Sequence, residues 1–313
     1  MPSALTDIVR DDMTGRFRNT RLQAPNVFTV SLEPDLISEA AAIFERCDLR
    51  AVHARLNRKA KHSREQIEAQ GYCFFAHHSS WASDVAWISA DDQLTYDTFH
   101  SIFKRMGLAE AFRDIIGGAT VHLYSAFFVV RTICEKPNMH VDYGEAVGTT
   151  ALTLMTPLYA EYSDVPDFQL VYRTDEDGSL RQYRYRHGEA IVFGSDFQHS
   201  TEPGHAALDE ALHARKAHAY LCFCFGSSRQ EHWEAIAETI DGNQSRTLSR
   251  PPEQPGGAPL LSLSKLGRAL EAGEEPSETW YGAEPRVKLP AGTVASTSSR
   301  PLASRRRPRS ILK

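Results

Sequence analysis

Residues 189–199, EAIVFGSDFQH, place an apolar run just ahead of a histidine, and residues 138–144, NMHVDYG, place a second histidine two positions before an aspartate. These two stretches decide how the chain is read. Side chains two apart on a strand project to the same side, so His140 and Asp142 point together if they lie on or at the end of one. The run Ala190 to Phe193 reads as a late strand entering a bend that carries His199, and a jelly roll returns such a bend to the side of the first pair.

Working outward, residues Ala119 to Phe225 are a series of short β-branched and aromatic segments. They are TVHLYSAFFVVRTI (120–133), TTALTLMTPLY (149–159), DFQLVY (167–172), RQYRYR (181–186), EAIVF (189–193) and AHAYLCFCF (217–225). DEDGS, RHG and EPG separate them as turns. Tyr183 and Tyr185 alternate with Gln182, Arg184 and Arg186, as expected where one sheet face is packed and the other wet. The fold class predicted is mainly β with flanking helices around a jelly-roll, cupin-like core.

Ahead of that core the pattern predicts a strand over Asn26–Leu32 and a helix over Pro34–Cys47, whose apolar face is Leu36, Ile37, Ala40, Ile43 and Phe44. Further helices are predicted over Thr95–Met106 and Leu108–Ile116, the latter stopped by Gly117 and Gly118. His77, His78 and Trp81 in FFAHHSSWASD have no carboxylate or cysteine at ligand spacing and read as a surface loop. The expected organisation is residues 1–118 as a mixed region packing helices on the core, 119–244 as the core with a following helix, and 245–313 as a mostly disordered Pro/Ser/basic tail. The tail's composition buries too little apolar surface to offset ordering entropy. Leu260 to Leu270 has helical spacing, and Trp280 and Tyr281 are its docking candidates. Arg305, Arg306 and Arg307 are read as solvated tail.

The net charge of −5 argues against a chain built to bind polyanions, so nucleic acid is not expected as a partner except through the basic tail. Five scattered cysteines without a CxxC pair suggest a reducing, intracellular setting rather than a disulfide framework. Apolar stretches are too short for a membrane span or a secretory signal, so a soluble, cytoplasmic protein is expected.

Two imidazoles and one carboxylate on one side of a metal leave the other positions open, as in iron(II) oxygenases, whereas structural zinc closes its shell with a fourth protein ligand. A lone HxD recurs by chance; the order of the motifs carries more. NMHVDYG, two strands, the turn DEDGS, YRYRHGEAIVFGSDFQHSTEPG and RKAHAYLCFCF follow one another in a way that resembles the 2-oxoglutarate/iron(II) dioxygenases, particularly the prolyl hydroxylase-like branch. The resemblance covers Ala119 to Gly226.

The resemblance implies a double-stranded β-helix in which His140, Asp142 and His199 are the catalytic, metal-binding residues for iron(II). It implies 2-oxoglutarate as cosubstrate, O2 as oxidant, ascorbate as an accessory reductant, and release of succinate and CO2 as a C–H bond is hydroxylated or otherwise oxidised. The substrate would be a small molecule or a protein side chain. Relatives that halogenate replace the carboxylate by a small residue, so Asp142 points to oxidation instead.

The distal carboxylate of 2-oxoglutarate calls for a guanidinium fork. Arg215 is the first choice because Ala217 and Ala219 share its side; Lys216, His218 and Arg131 compete. HSTEPGHAALDEALHA, between His199 and Arg215, is longer than the family's usual connection. Tyr124 is a second cofactor-binding candidate, with a core tyrosine as the other reading, and Arg131 and Tyr143 flank the expected mouth. The competing functions are a cupin-like metalloenzyme that does not use 2-oxoglutarate and a non-catalytic barrel binding module.

Overall fold

A computed structural model describes residues 5, 7–11, 16–47, 62–67, 71–78, 83–90, 92–160, 167–205, 218–229, 231–232 and 235–236. Arg215, Lys216, Trp81 and the tail after residue 240 lie outside the described residues. The strands are β1 (Ile8–Asp11), β2 (Arg16–Asn19), β3 (Ala24–Pro25), β4 (Val27–Ser31), β5 (His62–Ile67), β6 (Tyr72–His78), β7 (Ser83–Ala90) and β8 (Val121–Cys134). They continue as β9 (Ala151–Pro157), β10 (Leu170–Arg173), β11 (Leu180–Tyr183), β12 (Glu189–Phe193), β13 (His199–Thr201), β14 (Gly204–His205) and β15 (His218–Ser227). The helices are α1 (Pro34–Arg46), α2 (Gln93–Arg105) and α3 (Leu108–Phe112).

From β8 onward the chain alternates between two antiparallel sheets. β8, β9, β12 and β15 join the large sheet in the order β12-β9-β15-β8, while β10, β11 and β13 form the small one in the order β11-β10-β13. His140, between β8 and β9, bridges to His199 at the free side of β13. Winding two sheets in this way is the double-stranded β-helix, and it brings residues far apart in sequence to the same end.

The middles of β8 and β15, Ala126–Val130 and Ala219–Phe225, are continuous apolar runs because both faces are covered there. One face packs Phe128, Val130, Leu221 and Phe223 under the helices; the other turns Phe127, Val129, Tyr220 and Cys222 toward the small sheet. The helices supply aromatic contacts: Phe44 and Phe99 meet Phe128 at 5.3 and 5.1 Å, and Phe103 meets Phe223 at 5.6 Å. Each such ring contributes about 1.5–3 kcal/mol on burial.

α1 starts with Pro34 in its first turn, where a missing N–H costs nothing. Asp92 caps α2 by accepting from Thr95 N at 2.8 Å. α3 is shorter than predicted: it ends at Phe112, and turns carry the chain to Gly117 and Gly118, whose φ of +80° and +70° no side chain adopts cheaply. β4, the strand expected over Asn26–Leu32, pairs with β12. The region before the core also holds strands that the sequence reading did not assign: β7, β6 and β5 extend the large sheet beyond β8. His77 and His78 accordingly end a strand, not a loop.

Candidate metal centre

His140, Asp142 and His199 each offer a ligand atom within 4.8 Å of the others. Among the described residues no other such group is found. The main chain sets the pair of histidines: His140 N donates to His199 O at 3.0 Å, and His199 N to His140 O at 2.9 Å. Asp142 Oδ1 stands 3.7 Å from Nε2 of both rings.

Each ring is turned by its other nitrogen. His140 Nδ1 lies 2.8 Å from Asn138 O, and His199 Nδ1 lies 3.0 Å from Phe197 O. A carbonyl only accepts, so Nδ1 carries the proton and the Nε2 lone pair is left facing the centre. Burial pushes the His199 pKa down to about 4 against the opposing pull of Asp142, so the ring is neutral and ready to ligate at neutral pH. Its ring is wedged 4.4 Å from Phe193 and 5.4 Å from Phe197. His140 is half-exposed and Val141 is exposed, which makes this the solvent side of the centre.

The bend that delivers His199 is held from three directions. Gly194 N donates to Asn26 O at 2.9 Å, Asn26 Nδ2 to Ser195 O at 3.0 Å, and Ser195 N to Gly148 O at 3.2 Å. A Cβ on Gly194 would stand 3.0 Å from the Leu152 side chain and 3.1 Å from Gly148 O, so glycine permits the close approach. Arg16 closes the outside, with Nε 3.2 Å from Asp196 Oδ2.

Behind Asp142 sits a group that the sequence reading missed. Thr153 on β9 donates to Asp142 Oδ2 at 2.9 Å and is 3.3 Å from the Tyr143 hydroxyl, with Cys224 Sγ 4.0 Å away. Tyr143 is buried rather than placed at the mouth, and burial raises its pKa well above the ordinary value, so it stays a neutral phenol. Burial likewise pushes Cys224 up to about 12, helped by Asp142. The signal for Thr153 was one of two hydroxyls, with Thr156, in the mostly apolar strand ALTLMTP.

The remaining candidates separate. Tyr124 lies where β15 shifts register between Cys224 and Phe225, packs with Tyr143 and Val147, and donates its hydroxyl to Ser227 O at 2.6 Å. In place of the expected free hydroxyl it is a core tyrosine committed to the main chain. Ala219, whose small size was to leave room beside Arg215, is in the helix-side core. The site-facing side of β15 carries His218, Tyr220, Cys222 and Cys224 instead.

Arg131 pairs across β8 and β15 with His218. Its charge acts on His199, Tyr185, Tyr220 and Cys222 in the barrel interior. Among the described residues it forms no ion pair or hydrogen bond, so within them this cation has no counter-ion. The His218 ring lies tilted against Phe168, with centroids 4.5 Å apart, and burial lowers its pKa to about 4.

No protein-family profile and no curated protein sequence matches the chain. Among solved structures it is similar to AviO1 from Streptomyces viridochromogenes Tue57, at 13% identity over 66% of this chain and 92% of that one, with a TM-score of 0.45. It is also similar to the non-heme alpha ketoglutarate dependent epimerase SnoN from nogalamycin biosynthesis, at 14% identity over 75% and 89% of the two chains and a TM-score of 0.43. A prolyl-4-hydroxylase of Pseudomonas putida is similar at 15% identity over 64% and 91%, with a TM-score of 0.36.

Proposed function

We propose that the chain is an iron(II)/2-oxoglutarate-dependent oxygenase that oxidises a C–H bond of a small molecule or protein side chain. The observation that carries this reading is the donor set: two imidazole Nε2 atoms and one carboxylate oxygen converge from one side, and no fourth protein ligand among the described residues closes the shell. That set fits a hard-to-borderline divalent metal with open positions. It does not fit a structural zinc.

His140, Asp142 and His199 would hold iron(II), and Arg131 would bind the distal carboxylate of 2-oxoglutarate from inside the barrel. When bound, iron(II), 2-oxoglutarate and O2 supply the oxidation, coupling decarboxylation to succinate and CO2 with insertion of oxygen into the substrate bond. The chain supplies orientation and dryness. The Nδ1 bonds to Asn138 and Phe197 keep both imidazoles aimed, and Phe127, Val129, Tyr185 and Tyr220 exclude water from the interior. Substrate meets the site at the exposed His140 and Val141 side.

The test is anaerobic titration of the purified protein with iron(II) and then 2-oxoglutarate, watching the visible charge-transfer band of the chelate. A saturable band supports the proposal. Metal binding without the band points to a cupin-like enzyme that does not use 2-oxoglutarate, and no metal binding points to a binding module. Arg131→Met is expected to retain iron but to raise the apparent KM for 2-oxoglutarate roughly tenfold to a hundredfold. That follows from losing a charge-assisted bond worth about 1.5–3 kcal/mol. An unchanged KM transfers the role to Arg215, Lys216 or His218.

A further inference from the structure

The two oxygens of Asp142 face different partners. Oδ1 is equidistant from His140 Nε2 and His199 Nε2, at 3.7 Å from each, and therefore looks into the centre. Oδ2 looks the other way, toward β9, where the Thr153 hydroxyl donates to it at 2.9 Å. Thr153 is 5% exposed, so water does not compete for that bond. A hydrogen bond to an ionised acceptor is roughly twice as strong as one between neutral groups.

The donor is itself fixed. Thr153 sits in the middle of the large sheet, paired with Cys224 on β15 and Phe193 on β12, so its backbone cannot follow a rotating carboxylate. Its β-branched side chain has few χ1 choices. A carboxylate oxygen accepts, so the Thr153 hydroxyl donates to Asp142 Oδ2 at 2.9 Å, with the Tyr143 hydroxyl 3.3 Å from the same Thr153 oxygen. Asp142 is thus held by a buried hydroxyl whose own position is fixed by the sheet.

We propose that Thr153 is a positioning residue that keeps Asp142 a one-oxygen ligand, so that the position its second oxygen would take stays free for the chelating keto acid. The inference rests on the iron/2-oxoglutarate reading above. A carboxylate released from Thr153 turns both oxygens toward the cation, which holds the metal at least as well but closes a position that 2-oxoglutarate needs. The expected signature is therefore a split: metal binding survives and cosubstrate binding suffers.

The experiment compares wild type, Thr153→Val, which removes the hydroxyl at nearly constant shape, and Thr153→Ser, which keeps it. Manganese(II) affinity is measured by electron paramagnetic resonance titration, and 2-oxoglutarate affinity by the charge-transfer band of the anaerobic iron(II) protein. Thr153→Val is expected to bind manganese(II) as wild type does, while 2-oxoglutarate affinity falls by about tenfold or more, about 1.4 kcal/mol per factor of ten. Thr153→Ser is expected to restore it. Wild-type 2-oxoglutarate affinity in Thr153→Val overturns the inference. So does a parallel loss of metal and cosubstrate with a lowered melting temperature, which marks a merely structural hydroxyl. If wild type itself gives no band, the oxygenase reading fails first and takes this inference with it.

Discussion

Replacing His199 with alanine is expected to leave a chain that folds but no longer retains iron(II) through dialysis and no longer consumes 2-oxoglutarate. The imidazole is the buried member of the set, at 6% exposure, with its ring between Phe193, Phe197 and His140. Removing it takes away one of three ligands and leaves His140, the half-exposed one, beside Asp142. The loss of metal affinity should exceed the 10–100-fold typical of deleting an outer partner. The His140–His199 bridge is made of main-chain bonds, so alanine preserves it and the two sheets stay joined. Circular dichroism should remain that of wild type while metal analysis and succinate release both collapse. Wild-type iron content or turnover in His199→Ala would sink the assignment of the centre.

Gly226→Ala should produce the largest change in stability, without touching a ligand. A Cβ at Gly226 would stand 2.1 Å from Thr150 O and 2.7 Å from Ala151 Cα. Both obstacles are backbone at the start of β9, the strand that carries Thr153, and no side chain can swing aside to make room. Overpacking of this kind costs on the order of 3 kcal/mol, which lowers the melting midpoint by roughly 6–12 °C in a domain of this size. Gly144→Ala is the matched control: its φ is −67° and a Cβ there meets nothing within 4 Å. A thermal melt in which the two variants coincide would show that β9 and β15 part more easily than the register of Gly226 with Ala151 implies.

Much of this fold is legible in the amino-acid sequence. The α1 face of Leu36, Ile37, Ala40, Ile43 and Phe44 is buried as the spacing required, and β4 occupies Val27–Ser31 within the predicted Asn26–Leu32. Tyr183 and Tyr185 are buried between exposed Gln182, Arg184 and Arg186, as alternation demanded. Less legible were β5, β6 and β7. FFAHH, read as a surface loop, belongs to β6, and the edge is built outward from β8: β7 pairs with β8, β6 with β7 and β5 with β6.

The local chain determined the strands of the core and the helix faces. It also placed His140 and Asp142 two residues apart, although they lie in a loop where only His140 makes a β-bridge and not on the strand the spacing suggested. It did not determine which side of β8 and β15 looks inward. Both strands are buried on both faces, so polar and apolar residues do not alternate, and the shift of register between Cys224 and Phe225 is invisible in composition. That is why Ala219 was given the wrong neighbours, why Tyr124 lies against Ser227, and why Arg131 acts on the barrel interior. The meeting of His199 with His140, and of Thr153 with Asp142, also belongs to tertiary structure. A hydrogen bond takes its partner from distance in space, and only the winding of two sheets brings residues 142 and 153, or 140 and 199, within reach.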